Sequence, residues 1–245
     1  MTQKRAANLL VECLINQGVD KIYGVPGESY LSVLDALYDF NDKINFISTR
    51  HESAASFMAE AYGKLTGEVG ICFVTRGPGA TNASIGVHTA MQNSSPMILF
   101  IGQIGRDMTE REAFQEIDYK AYFGSISKWV VQVNNADRLP EIIGRAFSVA
   151  LSGRPGPVVV SLPEDMLRDL TSAVAINKIQ KTCAEISVTQ VNLIKDELEK
   201  SKKPLIICGG GGWSDIGRDY LQRFAESVNI PVICGFRNHV LMDTN

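Results

Sequence analysis

Residues 69–82 read VGICFVTRGPGATN: an apolar run, VGICFVT (69–75), that breaks into a glycine–proline turn and then a stretch of small residues. A strand covered by helices on both faces loses the apolar–polar alternation of a half-exposed one, so the run predicts a buried parallel strand. The turn predicts a helix from about residue 78, with proline where a first turn has no use for an N–H. The same grammar repeats outward. Upstream lie KIYGV (21–25), a helix around 29–40, INFIS (44–48) and a helix about 50–66. Downstream lie a helix around 78–92, PMILFIG (96–102), WVVQV (129–133), a helix from about 137 to 152 and PVVVSLP (157–163). Such alternation predicts an α/β fold, an open and mostly parallel sheet with helices on both faces. Ahead of it, Thr2 is a candidate cap for a helix whose stripe is Ala6, Leu9, Leu10, Cys13 and Leu14, ending at Gly18.

The pattern divides the chain into a first domain (1–165), a polar linker (166–187) and a second unit (188–245). The second unit repeats βαβ logic: a helical period at 188–202, PLIICGGGG (204–212), a helix at 218–229 and IPVICGF (230–236). It reads as the start of a Rossmann-like domain too short for a core of its own, so a truncated chain is expected.

Composition narrows the function classes. The 245 residues hold 24 basic and 27 acidic side chains, a net charge of −3. No basic footprint points to nucleic acid. No apolar run approaches the roughly 18 residues of a membrane span. Glu12, Asn16 and Gln17 interrupt the N-terminal apolar run, which argues against a signal peptide. Five cysteines without a CxxC pair predict reduced thiols, largely buried in strands, and a cytoplasmic protein; no metal set is expected.

Three loops follow predicted strands and so share one sheet edge, where ligands of open α/β sheets gather. One holds Glu52, placed for proton transfer at a helix start. The alternative is that Thr49-x-x-Glu52 is a capping box and Glu52 only bonds backbone. The second loop is Gly24-Val25-Pro26-Gly27, a stiff close-approach turn or a plain one. The third, Thr75 to Asn82, offers N–H groups at a helix start.

GVPG, RHExxAxxMAxxYG (50–63), GPGATN, AFQE (113–116) and GRPGPVVVSLPED (153–165) occur here in the order found in thiamine diphosphate-dependent enzymes. Over essentially the whole chain the sequence resembles that family, nearest its acetolactate synthase branch of 2-oxo-acid decarboxylases and carboligases. The resemblance implies a pyrimidine-binding domain followed by the opening of a central domain. It implies that Glu52 hydrogen-bonds N1′ of the cofactor's aminopyrimidine. Val25, Pro26 and Gly27 match the loop beside the reacting centre. Thr75, Gly77, Pro78, Gly79 and Asn82 match positions near the pyrimidine. Gln115 matches a glutamine that approaches substrate. A small-molecule 2-oxo acid as substrate and a homodimer or homotetramer are implied, with FAD in some members.

Departures from the family pattern matter too. The GDG and later Asn that hold Mg²⁺ and the diphosphate do not occur in these residues. The chain is therefore expected to carry the pyrimidine half of a site and to be inactive alone. It is either part of a longer enzyme or a module serving a partner chain with the diphosphate domain. Arg76 replaces a small residue before GPG, altering the pocket or forming a surface ion pair. Lys128 stands near a channel lysine of synthases or is simply solvated. Gly209–Gly212 lacks GxGxxG spacing and is either a nucleotide loop or a close-packed turn. His88 reads as a plain helix residue; His239 carries no assignment.

Overall fold

In a computed structural model, which describes residues 3–238 and 241–242, every apolar run singled out in the first 165 residues forms a strand. The elements are β1 (Lys4–Arg5), α1 (Ala6–Asn16), β2 (Lys21–Gly24), α2 (Leu31–Asp39), β3 (Asn45–Ser48) and α3 (Glu52–Thr66). Then come β4 (Gly70–Val74), α4 (Pro78–Asn93), β5 (Met97–Gln103), α5 (Tyr119–Phe123), β6 (Trp129–Gln132), α6 (Leu139–Leu151), β7 (Pro157–Pro163) and β8 (Leu170–Thr171). The chain divides into two compact units, Met1–Lys181 and Thr182–Asn245.

Six strands of the first unit form one sheet in the order β3-β2-β4-β5-β7-β6, every pairing parallel. The fold is α/β, as the alternation predicts. Period-two geometry sorts the apolar strands onto two faces. Ile71 and Phe73 of β4 join a core with α1, α2 and α6. Cys72 and Val74 join a second core with α3, α4 and α5. Phe73 stacks on Phe100 at 4.6 Å between ring centres, both fully buried. Burying one such ring contributes about 2–3 kcal/mol. On the other face α3 and α4 meet through Ala55, Ala59, Ala83 and Ala90, with Gly86 against Ser56.

Arg5 is the N-cap of α1, and Gly18 beyond its end takes φ +87°. The proposed cap Thr2 and the unassigned His239 lie outside the described residues. The stretch expected as linker packs onto the first unit as far as Lys181. Met166 and Leu167 are fully buried, β8 pairs antiparallel with β1, and Gln17 donates to the Asn177 carbonyl at 2.9 Å.

The second unit holds α7 (Val188–Lys200), β9 (Ile206–Cys208), α8 (Asp215–Val228) and β10 (Val232–Cys234), with β9 and β10 parallel. Ser187 and Gln190 form a full capping box on α7. Its apolar side chains are mostly exposed, among them Val191, Ile194, Ile207, Phe224 and Ile233. The glycine loop is not a close-packed turn. A β-carbon on Gly209, Gly210 or Gly212 would meet nothing within 4 Å, because the loop stands open. Among the described residues no helix is long and apolar enough to cross a membrane.

Candidate functional site

The chain runs from β2 outward to β3, then crosses back to β4 on the other side of β2. That reversal opens a crevice at the carboxyl ends of β2 and β4, where no crossover helix covers the strand ends. The loop after β2, the start of α3 and the loop after β4 all meet there.

Glu52 is the first residue of α3, and the capping-box alternative does not hold. The Thr49 N–H donates to the Gly24 carbonyl at 2.9 Å, which extends the strand pairing and keeps Thr49 out of the cap position. His51 caps instead, its Nδ1 accepting from the Ser53 N–H at 3.2 Å. The Glu52 carboxylate is thereby free to face the crevice. Its Oε2 accepts from Asn82 Nδ2 at 3.0 Å, a bond from the first turns of α4. Its Oε1 lies toward Gly79, 3.5 Å from where a β-carbon on that glycine would sit.

The glycines of the two flanking loops let the backbone pack closely on Thr75. A β-carbon on Gly27 would fall 2.5 Å from Thr75 Cβ, and one on Gly79 would fall 2.9 Å from Thr75 Cγ2. Thr75 Oγ1 is 2.8 Å from Ser29 Oγ. Gly27, Thr75, Gly79, Glu52 and Asn82 thus form a continuous chain of contacts. Val25 is half-buried and its carbonyl accepts from the Tyr30 hydroxyl, which closes the loop; Pro26 is exposed at its tip. Burial, then the nearby Cys72 and Glu52, pushes the Tyr30 hydroxyl far above its usual range. Burial also holds Cys72 protonated, with Glu52 adding to the effect.

The loop after β4 uses two of its N–H groups within the protein. The Arg76 N–H is taken by Ser29 Oγ at 3.1 Å and the Gly77 N–H by the Tyr119 hydroxyl at 3.0 Å. Pro78 has no N–H to offer. Gly77 adopts φ +61°, and its bare α-carbon packs on Gln115: a β-carbon there would sit 2.6 Å from Gln115 Cβ. This contact brings the 113–116 loop to the crevice, so Gln115 joins the other predicted residues.

Arg76 is buried, 8% exposed, with Glu164 and the exposed Glu28 as its ion-pair partners. Its Nη1 is 3.2 Å from Glu164 Oε2, and its Nε donates to the Phe114 carbonyl at 3.2 Å. Lys128 is neither a channel lysine nor solvated. Its Nζ donates to the Val149 and Ser152 carbonyls at the end of α6, and burial lowers its pKa. The thiols are less uniformly buried than expected: Cys183 is exposed and Cys234 half-buried. His88 is exposed on α4. Sequence reasoning missed Ser29, Tyr119 and the burial of Arg76. Ser29 and Tyr119 sit in segments without strong periodicity, and their bonds span 46 and 42 residues.

Residues 4–122 match the family described as Thiamine pyrophosphate enzyme, N-terminal TPP binding domain. The chain is 35% identical over 240 residues to the acetolactate synthase isozyme 3 large subunit of Escherichia coli, covering 96% of this chain and 42% of that protein. It is 38% identical over 232 residues to an acetolactate synthase large subunit of Buchnera aphidicola, covering 92% and 40%. The corresponding figures for the large subunit of Lactococcus lactis are 35% over 236 residues, 93% and 40%. The chain spans about two fifths of the length of these curated relatives.

Proposed function

We propose, from the match of residues 4–122 to the N-terminal TPP binding domain of thiamine pyrophosphate enzymes, that this chain supplies the pyrimidine-binding half of an acetolactate synthase-like active site. The reaction is decarboxylation of a 2-oxo acid, followed by protonation or ligation to a second carbonyl compound. The observation that carries the reading is the Glu52 carboxylate. Asn82 holds one oxygen, and the other, on the Gly79 side, has no protein donor among the described residues. A heteroaromatic ring with a nitrogen at its edge suits that second oxygen, which can share a proton with it.

Thiamine diphosphate, when bound, supplies the carbon nucleophile and the electron sink for the departing carboxylate. The chain's own residues do the rest. Glu52 holds or passes a proton at Oε1, and Asn82 fixes the carboxylate so that this oxygen needs no reorganisation. Val25, Pro26, Gly27, Thr75, Gly77, Pro78 and Gly79 form the walls. Gln115 supplies a polar side chain beside the 2-oxo acid. Magnesium and the diphosphate belong on a second surface, carried by a further domain or by a partner chain. Phe57, Met58 and Ile85 are exposed on α3 and α4, the helices that bear Glu52 and Asn82. This supports a homo-oligomeric or partner contact beside the crevice.

The test is Glu52→Gln, assayed for CO₂ release from pyruvate in the assembly that carries both surfaces. Turnover should fall on the order of 10³-fold, within the range of a lost general acid–base group. Near-normal turnover by a folded Gln variant would refute the reading. Size-exclusion chromatography with a diphosphate-domain chain tells a split enzyme from a single-chain one: a stable complex that alone binds the cofactor marks the former.

A further inference from the structure

The segment between β5 and α5 holds its shape against backbone preference. Glu110, Glu112 and Gln115 all take positive φ, at 61°, 54° and 66°, a region that side chains with a β-carbon rarely occupy. Such conformations persist only where surrounding structure enforces them. Glu116 supplies part of the constraint, its carboxylate accepting from the Glu110 and Ala113 N–H groups at 2.8 and 3.3 Å. For Gln115 the constraint comes from outside the loop. Arg76 Nε–H donates to the Phe114 carbonyl, which belongs to the peptide plane immediately before Gln115. Fixing that carbonyl fixes the plane's rotation and with it φ of Gln115, while Gly77 receives the Gln115 β-carbon. The guanidinium is anchored by Glu164 at the end of β7, with Glu28 at 3.9 Å on its other arm. Its side chain is only 10% exposed.

We infer that Arg76 is a positioning residue: it clamps the 114–115 peptide and so aims Gln115 into the crevice. The inference rests on the proposed role of Gln115 beside the substrate. A guanidinium is needed because Nε and Nη1 point along two directions of one rigid fork. A lysine ammonium can keep the Glu164 pair or reach the carbonyl but cannot hold both in that geometry.

Amide hydrogen exchange on the 245-residue chain tests the clamp without any ligand. In Arg76→Lys and Arg76→Met, exchange at residues 110–117 should rise at least about tenfold while amides of β5 and β7 keep their rates. Arg76→Lys is the decisive variant if the Met protein folds poorly. The Glu164 pair it retains should hold the thermal midpoint near that of the parent while the loop stays loosened. A role confined to stability would restore both together. Wild-type loop protection in Arg76→Lys, or equal acceleration in loop and strands, overturns the inference. In the assembled enzyme the same variant should raise KM for the 2-oxo acid about tenfold and leave thiamine diphosphate affinity within threefold. A loosened loop with unchanged KM removes Gln115 from the substrate and leaves the rest of the proposed function untouched.

Discussion

Helix α3 carries two carboxylates eight residues apart, Glu52 at its start and Glu60 two turns on, roughly 12 Å along the axis. They sit at opposite edges of the same sheet and have opposite surroundings. Glu60 is 6% exposed, and its Oε1 accepts from both Asn93 Nδ2 at 2.9 Å and Ser95 Oγ at 2.7 Å. It ties α3 to the turn between α4 and β5 through two donors on one oxygen. Glu52 has one side-chain partner among the described residues, Asn82 on Oε2. Two glutamates on one helix thus separate into a structural brace and the group proposed to handle a proton. Burial does not make the distinction, since the brace is the more buried of the two. What separates them is the donor set, two side chains on Glu60 and one on Glu52.

Four experiments break or sharpen that contrast. The largest effect belongs to Glu52→Gln, which should remove about three orders of magnitude of 2-oxo-acid turnover while shifting the thermal midpoint by no more than a few degrees. Glu60→Ala should do the reverse. It strands Asn93 and Ser95, should cost about 3 kcal/mol in urea unfolding, and should leave turnover per folded molecule within twofold. If folded Glu60→Ala lost its turnover, the contrast would collapse. Away from both edges, burial pushes the Cys13 thiol up to about 11, with a smaller opposing contribution from the Ile176 backbone. The folded state keeps that proton while the unfolded thiol gives it up near 9. The associated stability is therefore present below pH 9 and is lost as pH rises to 11, on the order of 3 kcal/mol in all. Cys13→Ala should flatten this slope in unfolding curves at pH 8 and 11. The smallest effect is Asn82→Ala, which frees Oε2 and should lower turnover about tenfold; an unchanged rate would mean Glu52 needs no anchor.

The sheet was legible because its strands are covered on both faces. Runs such as VGICFVT and PMILFIG cannot be confused with half-exposed strands. The crevice was legible as a set of loops after strands. Its wiring was not. The capping-box motif at Thr49 failed because strand pairing reached one residue further than the motif allows: the Thr49 N–H already belonged to Gly24. Arg76 reads as a surface residue until the fold brings Glu164 and Phe114, 88 and 38 residues away, around it. α5 went unseen because five residues cannot show a helical period. Windows of sequence carry periodicity well and partners separated by dozens of residues poorly.

The antiparallel pairing of Lys4–Arg5 with Leu170–Thr171 places the two extremities of the first unit side by side. The order in which the chain visits its site loops is then a matter of where the polypeptide happens to be cut. A short bridge from 171 to 4, with a new opening at the exposed turn around Gly153, gives a circular permutant with every strand neighbour retained. That turn has room to spare, since a β-carbon on Gly153 would meet nothing within 4 Å. Such a permutant keeps Glu52, Asn82 and Gln115 within one continuous stretch and moves both free ends to the end of α6, where Arg154 bonds the end of α4. The domain is in this sense a ring, and its loops can be engineered without regard to their place in the reading frame.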